Sequence, residues 1–295
     1  MSDGNRPTVK EHFVPQTYLS GFSENSTTIY RFDLKRGIQT PVSVPIKSVA
    51  YIKNLYELQA DDNSFINRNF IEHCLCQLEG DLSNYRKMLE SKAFLKENQA
   101  IECFLSTAEK NYWRFFITLQ TMRDPAFISE AAKRATTYYG NTISPQAAKN
   151  LTLIGSFPFF ESTSEHPTGS LCRKVFDIMC NMNIMVKAAP DSNLITSDSP
   201  VCVSATETSF EGITGFWMPI TSDIAILFYK NKKNLIKDGK RNGLQWLSQT
   251  TANLMNEEVI YRARDELYSK RPFSESEIVH IKEIRKREHL GRSLL

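Results

Sequence analysis

Between residues 66 and 92 the apolar positions recur at Ile71, Leu75, Leu78, Leu82, Tyr85 and Leu89, spaced 4, 3, 4, 3 and 4. That is the period of a helix with one buried face, so the stretch reads as an amphipathic helix. A second stripe, from Ile101 through Leu105, Tyr112 and Leu119 to Met122, predicts a helix over about 98–123. Asp124-Pro125 then supplies a cap and a proline suited to a first helical turn, so a third helix should start there and run to about 139.

The flanks of this helical block have a different pattern. TTIYRFDLKRGIQTPVSV (27–44) carries β-branched and aromatic residues on both sides of LKRG, a hairpin pattern with Gly37 in the turn. VAYIKNLYELQ (49–59) reads as a further strand or extended segment. Residues 140–170 are rich in Gly, Ser, Thr and Pro and read as irregular, with a mobile loop at 161–170. A short helix follows at 171–181. IMVKAA, LITSDSPVCVS and ITSDIAILFY then read as strands. Residues 242–263 read as helix, and 273–289 open with a Ser274-to-Glu277 capping box and should be helical too.

Strands, helices, strands and helices in that order, without βαβ alternation, predict an α+β fold. A mixed or antiparallel sheet built from the N-terminal hairpin and later strands should pack with several amphipathic helices. The strands of 27–59 should share one core with those of 183–229, because neither set has enough apolar surface to close a sheet alone. The reading is one domain from 10 to 295, two-lobed with a helical lobe at about 66–182, after a disordered lead-in at 1–9.

Composition narrows the class without naming an activity. At 295 residues and 41% hydrophobic, the chain is long enough for a sizeable core. No run approaches the ~20 apolar residues of a membrane span, and residues 1–10 lack the apolar stretch of a secretory signal, so a cytoplasmic protein is expected. The six cysteines (74, 76, 103, 172, 180 and 202) are expected to be free thiols. On a helix Cys74 and Cys76 point about 200° apart, which argues against a zinc site. A net charge of +3 neither implies nor excludes nucleic acid, but KNKKNLIKDGKR (230–241) holds six basic side chains against one acid. It reads either as a solvated face or as a phosphate contact.

Glycine-rich phosphate loops, Gly-x-Ser-x-Gly elbows, His-Glu-x-x-His and zinc-type cysteine pairs are all missing. What remains is a set of polar residues inside apolar patterns. His12 stands before Phe13-Val14-Pro15, either as a site residue or as a ring satisfied by the backbone. Glu72 and Glu79 lie seven apart on one flank of the first helix, placed for a divalent cation or acid–base work, or equally for pairing with Arg86. Gln120 and Arg123 share a face of the second helix, where Arg123 suits an anion. Asp198 follows a strand, as a catalytic acid or as a turn residue before Pro200. Asn253 and Asn256 interrupt the stripe of a later helix, where buried amides need partners.

Taken in order, HFVPQTYLSGF, FIEHCLCQLEGDL, FFITLQTMRDP, LITSDSPV and MPIT resemble the bacterial domain-of-unknown-function family 4238 over about residues 11–265. The match falls on His12, Pro15, Gln16, Tyr18, Leu19, Gln120, Arg123, Pro125, Ser197, Asp198 and Pro200. Asp124 departs from it, where small residues such as Thr are usual, with consequences expected only for the helix cap. The resemblance implies that the opening motif belongs to a shared site, and it implies no activity.

Two functional readings follow. In the first the protein is a hydrolase, a nuclease acting as a toxin or phage-defence effector. His12, Glu72, Glu79 and Asp198 would be catalytic, Gln16, Gln120, Arg123 and Asn253 would bind substrate, and Mg²⁺ or Mn²⁺ would be the cofactor. Nucleic acid would lie on the 230–241 run, and a protein partner encoded nearby would regulate it. In the second the protein is a non-enzymatic sensing or ligand-binding module for a phage protein or a nucleotide signal. Convergence of His12, Glu72, Arg123 and Asp198 on an open cleft favours the first reading, and a sealed arrangement favours the second.

Overall fold

The computed structural model describes residues 10–95, 101–102, 104–157, 171–206, 212–230 and 242–292. The expected lead-in at 1–9, the loop at 161–170 and all of the basic run except Lys230 lie outside the described residues. The strands are β1 (Lys10–His12), β2 (Thr28–Asp33), β3 (Ile38–Gln39), β4 (Val44–Pro45), β5 (Tyr51–Lys53), β6 (Leu58–Gln59), β7 (Phe65–Asn67) and β8 (Ile101–Glu102) in the first part of the chain. Later come β9 (Asn183–Ala188), β10 (Thr196–Ser197), β11 (Cys202–Ala205), β12 (Ile213–Pro219), β13 (Ile224–Tyr229), β14 (Asn242–Trp246) and β15 (Glu266–Ser269). The helices are α1 (Gln16–Leu19), α2 (Phe70–Glu79), α3 (Leu82–Phe94), α4 (Thr107–Arg123), α5 (Pro125–Tyr139), α6 (Pro145–Ser156), α7 (Leu171–Cys180), α8 (Gln249–Arg262) and α9 (Glu275–Arg292).

The fold is α+β. Its strands form two main sheets, and the N-terminal hairpin joins later strands in one of them, as expected. The β2–β3 hairpin pairs through β2 with β15, which in turn pairs with β10. The second sheet runs β11-β12-β13-β9-β14-β8, antiparallel except for the β14–β9 pair. β4 also pairs with β2, and two small ladders, β1–β5 and β6–β7, complete the pairing among the described residues. The expectation of a shared core holds, because Ile29 of β2 and Leu58 of β6 belong to the same buried cluster as Ile184, Val186, Ile226 and Phe228. A second cluster joins Phe32 and Leu267 of one sheet to Trp217 and Ala225 of the other beneath α8 and α9.

Four local expectations change. The helix read over about 98–123 starts only at Thr107, after the Ser106 cap, because Ile101 and Glu102 pair with β14 as β8. The stripe at 66–92 is two helices, because Gly80, a poor helix former, and Asp81 interrupt it and let α3 turn so that Leu82 and Leu89 are buried with Ile71 and Leu75. Residues 145–156, read as irregular, form α6, whose Ser144 side chain accepts from Ala147 N–H and whose Pro145 occupies the first turn. Residues 242–246, read as helix, form a strand beside β9, with the Asn242 side chain accepting from Leu105 N–H; α8 starts only after Ser248 caps it. Elsewhere the caps are as read: Asp124 accepts from Ala126 N–H, and Ser274 and Glu277 form the reciprocal box.

Candidate functional site

The opening motif is a short strand, a break and a single helical turn. β1 pairs with β5 in the register His12↔Tyr51, and Phe13 N–H continues the ladder to Ala50. Pro15 restricts Val14 to extended backbone, and helical bonding starts only beyond it, with Tyr18 and Leu19 N–H bonding back to Pro15. Phe13, Val14, Tyr18, Leu19 and Phe22 are all buried. The Tyr18 hydroxyl is 2.7 Å from Thr196 Oγ1 and 2.7 Å from the Pro219 carbonyl, tying this turn to both sheets. Gly21 lies so close to the second sheet that a Cβ there would be 2.8 Å from the Ile220 carbonyl oxygen, so only glycine fits.

The last turn of α4 grips this segment by its main chain. Gln120 Nε2 donates to the Phe13 carbonyl at 2.7 Å, and Arg123 Nη2 donates to the carbonyl of His12. Arg123 Nη1 is ion-paired with Glu79 of α2, and its Nε is 3.5 Å from the Tyr56 hydroxyl. Burial opposes the charge on Arg123, but Glu79 and Tyr56 outweigh it and hold the guanidinium above its ordinary range. Arg86, the alternative partner for the glutamates, instead donates to the Thr17 carbonyl and Ser20 Oγ. The ring of His12 is largely enclosed against Tyr51, with the Gln16 amide nitrogen 3.4 Å from Nδ1. The Lys47 backbone lies close enough to the ring to favour its charged form. Burial and, after it, the Arg123 charge still lower its pKa.

Beneath the clamp lies a group of carboxyls. Glu11, fully buried on β1, accepts from Tyr56 N–H at 2.8 Å through Oε2, while its Oε1 has no partner. Glu57 accepts from Asn69 N–H at the start of α2. Glu72, one turn into α2, also leaves one buried oxygen unpaired. Burial raises Glu72 to about 7 against the pull of Arg123, with Glu79 and Glu57 adding to the rise. Glu11 likewise stands at about 7, raised by burial and by Glu57 and Glu72 against Tyr56 N–H and Lys149. Among the described residues no group of three or more His, Cys, Asp or Glu side chains is arranged to hold a metal ion.

Asp198 is across Phe13 from the clamp. Its two oxygens accept from Arg264 N–H at 2.9 Å and Asp265 N–H at 2.8 Å, which fixes the corner leading into β15. Burial raises its carboxyl to about 6, against Arg264. The Arg264 guanidinium is 5.0 Å above the Phe13 ring and 3.9 Å from both Asp198 and Asp124. Asp124 does more than cap α5, since its Oδ2 also accepts the Ser199 hydroxyl at 2.5 Å. Between this corner and residues 48–52 lies a cleft of about 290 Å³.

The opening segment, the end of α4 and the Ser197-Asp198 strand end thus meet around Phe13. A family model described as "Protein of unknown function (DUF4238)" matches residues 10–273, from β1 to the approach to α9. The chain belongs to that family. No curated protein and no solved structure matches it. The DUF4238 region therefore contains the clamp, the carboxyl group and the Asp198 corner in full.

Of the residues singled out from sequence, His12, Gln16, Glu79, Gln120 and Arg123 are brought together, with Glu72 alongside, whereas Asp198 faces the other side of Phe13. Asn253 belongs elsewhere, on a groove of about 410 Å³ between α8 and α9. Its Oδ1 accepts from Gln249, while Asn256 is used internally, bonding Ile195 N–H and the Asn193 carbonyl. Sequence reading missed Glu11, Tyr56, Glu57, Lys149 and Arg264. The signal for one of them was present, since Glu57 is a charge set within the apolar run Leu55-Tyr56-Glu57-Leu58.

Proposed function

We propose that this protein is a non-enzymatic ligand-binding module whose ligand seat is the groove between α8 and α9. One observation carries the reading: the residues that would perform chemistry are enclosed, with exposures of 9% for His12, 3% for Arg123 and 3% for Asp198. The polar atoms of Arg123 and Asp198 are committed to His12, Glu79 and the 264–265 backbone. The motif then acts as a joint that holds the opening segment on α4. By contrast, the groove has a buried apolar floor of Ile195, Ile260, Phe273 and Ile281 beneath a polar rim, the ordinary make-up of a small-molecule site.

A second reading, a hydrolase of nuclease type acting in toxicity or phage defence, draws on Glu11 and Glu72. Each has a buried oxygen without a partner, Glu72 lies within reach of the Arg123 charge, and a carboxyl raised to about 7 suits acid–base work. It requires α2 to open, and Mg²⁺ or Mn²⁺ as well as the 230–241 run would belong to it. Incubating the full chain with total RNA, plasmid DNA and nucleotides, with and without either cation, separates the two. The binding module predicts no turnover. Turnover that Glu72→Gln abolishes in a folded protein would replace it with the hydrolase.

A further inference from the structure

The groove between α8 and α9 has an acidic lining. Among the described residues that line it there is no Lys or Arg, whereas Glu257 and Glu277 both carry carboxylates. The two differ in what they have left to offer. Glu277 is held by Arg271 through both oxygens at 2.9 Å and by the cap at Ser274. Glu257 has one bond, from Oε1 to His280 Nε2 at 2.9 Å, and its Oε2 has no partner among the described residues. Asn253 is one turn before Glu257 on the same face of α8. Its Oδ1 is bonded to Gln249, and its amide nitrogen has no partner among the described residues. Below these two side chains the floor is apolar, with Ile260, Phe273 and Ile281 all buried.

We infer that this groove is a site for an organic amine, with an apolar body on Ile260, Phe273 and Ile281 and an ammonium on the carboxylate of Glu257. The inference rests on the reading of the protein as a binding module acting through this groove. An ammonium offers three donors, which suit the free oxygen of Glu257 and leave Asn253 to donate to a neighbouring acceptor on the ligand. A phosphate or carboxylate would instead meet the Glu257 carboxylate with no Lys or Arg among the lining residues to receive it, since Arg271 is already bound through both of its contacts to Glu277. A nucleotide signal therefore does not suit this groove.

Three probes of similar size and different charge test this on the unmodified full chain by isothermal titration: 2-phenylethylamine, 2-phenylethanol and 3-phenylpropanoate. The amine should bind about tenfold more tightly than the alcohol, as expected of one charge-assisted hydrogen bond, and the carboxylate most weakly. Glu257→Gln should bring the amine and the alcohol to parity, and Glu79→Gln, in the distant joint, should leave the amine unaffected. Equal binding of amine and alcohol to the unmodified chain, or a preference for the carboxylate, would overturn the charge selection while leaving the groove as a binding site. Failure of all three probes up to their solubility limits would overturn both the groove and the amine.

Discussion

Arg123 donates a hydrogen bond to the backbone carbonyl of His12, 111 residues earlier in the chain. The contact reads no side chain at position 12, so it fixes where the segment lies whichever residue stands there. The same guanidinium is paired with Glu79. Arg123→Ala would therefore leave a buried carbonyl and a largely buried carboxylate without their donor. We expect a loss of about 3–5 kcal/mol, the range for breaking one side of a buried pair. Urea unfolding of the variant beside Arg123→Lys measures it, with lysine recovering part of the loss because it keeps the charge without the planar fork.

His12→Ala should destabilise the protein as well. The ring is enclosed against Tyr51, so its removal opens a void and releases Gln16. A drop of about 1–3 kcal/mol is expected, in the range typical of single substitutions at buried sites. Equal melting temperatures for His12→Ala and the unmodified chain would show that the ring is not part of the packing.

Stability should fall as pH rises from about 4.5 to about 7. Glu11 and Glu72 both stand at about 7 in the fold against an ordinary value of 4.5. Below 4.5 both states carry the protons. Between the two values the unfolded chain releases them first, so the folded state loses ground until its own carboxyls ionise, and the deficit is then constant. The two carboxyls interact, and the loss should appear as one broad transition. Urea midpoints at pH 5 and pH 8 test the sign, and Glu11→Gln should narrow the gap between them.

Asp198→Asn should loosen the corner into β15. The carboxylate accepts from two successive N–H groups, and an amide can accept only through its oxygen while turning its own donors toward the second. A loss of about 1–3 kcal/mol is expected, the cost of a buried donor left unsatisfied. Hydrogen exchange should show it locally, with the amides of Arg264 and Asp265 losing protection before those of β9.

How much of this was legible in the sequence depends on whether a residue's role is local. Asp124-Pro125 and Ser274 to Glu277 act within one turn, and both were readable as caps. Ser144-Pro145 carries the same cap-and-proline signal at the start of α6, but it sits among Gly, Ser and Thr and was read as loop. The 242–246 strand was not readable as such, because its place is set by parallel pairing with β9 some 58 residues away, as for Lys187 and Gln245. For the candidate site, the sequence named most of the residues at the joint but not how they are used. Arg123 reads as an anion binder, yet its partners are a backbone carbonyl and Glu79. Nothing in residues 120–123 states that two main-chain oxygens more than a hundred positions earlier will complete them.

The ties on Tyr18 also set an order on biosynthesis. Its hydroxyl is satisfied by Thr196 and Pro219, 178 and 201 residues further along, and the carbonyls of His12 and Phe13 wait for α4. During translation the opening segment therefore meets Ala50 and β5 early, α4 later, and Thr196 and Pro219 last. The Tyr18 hydroxyl stays without its final partners while nearly two hundred more residues are made, at a typical ~5–20 residues per second. For roughly 10–40 seconds at those rates the packing around Tyr18 is incomplete. A chaperone that captures partly packed apolar segments would find a target there, and a chain released before residue 219 would leave the Tyr18 hydroxyl without the Pro219 carbonyl.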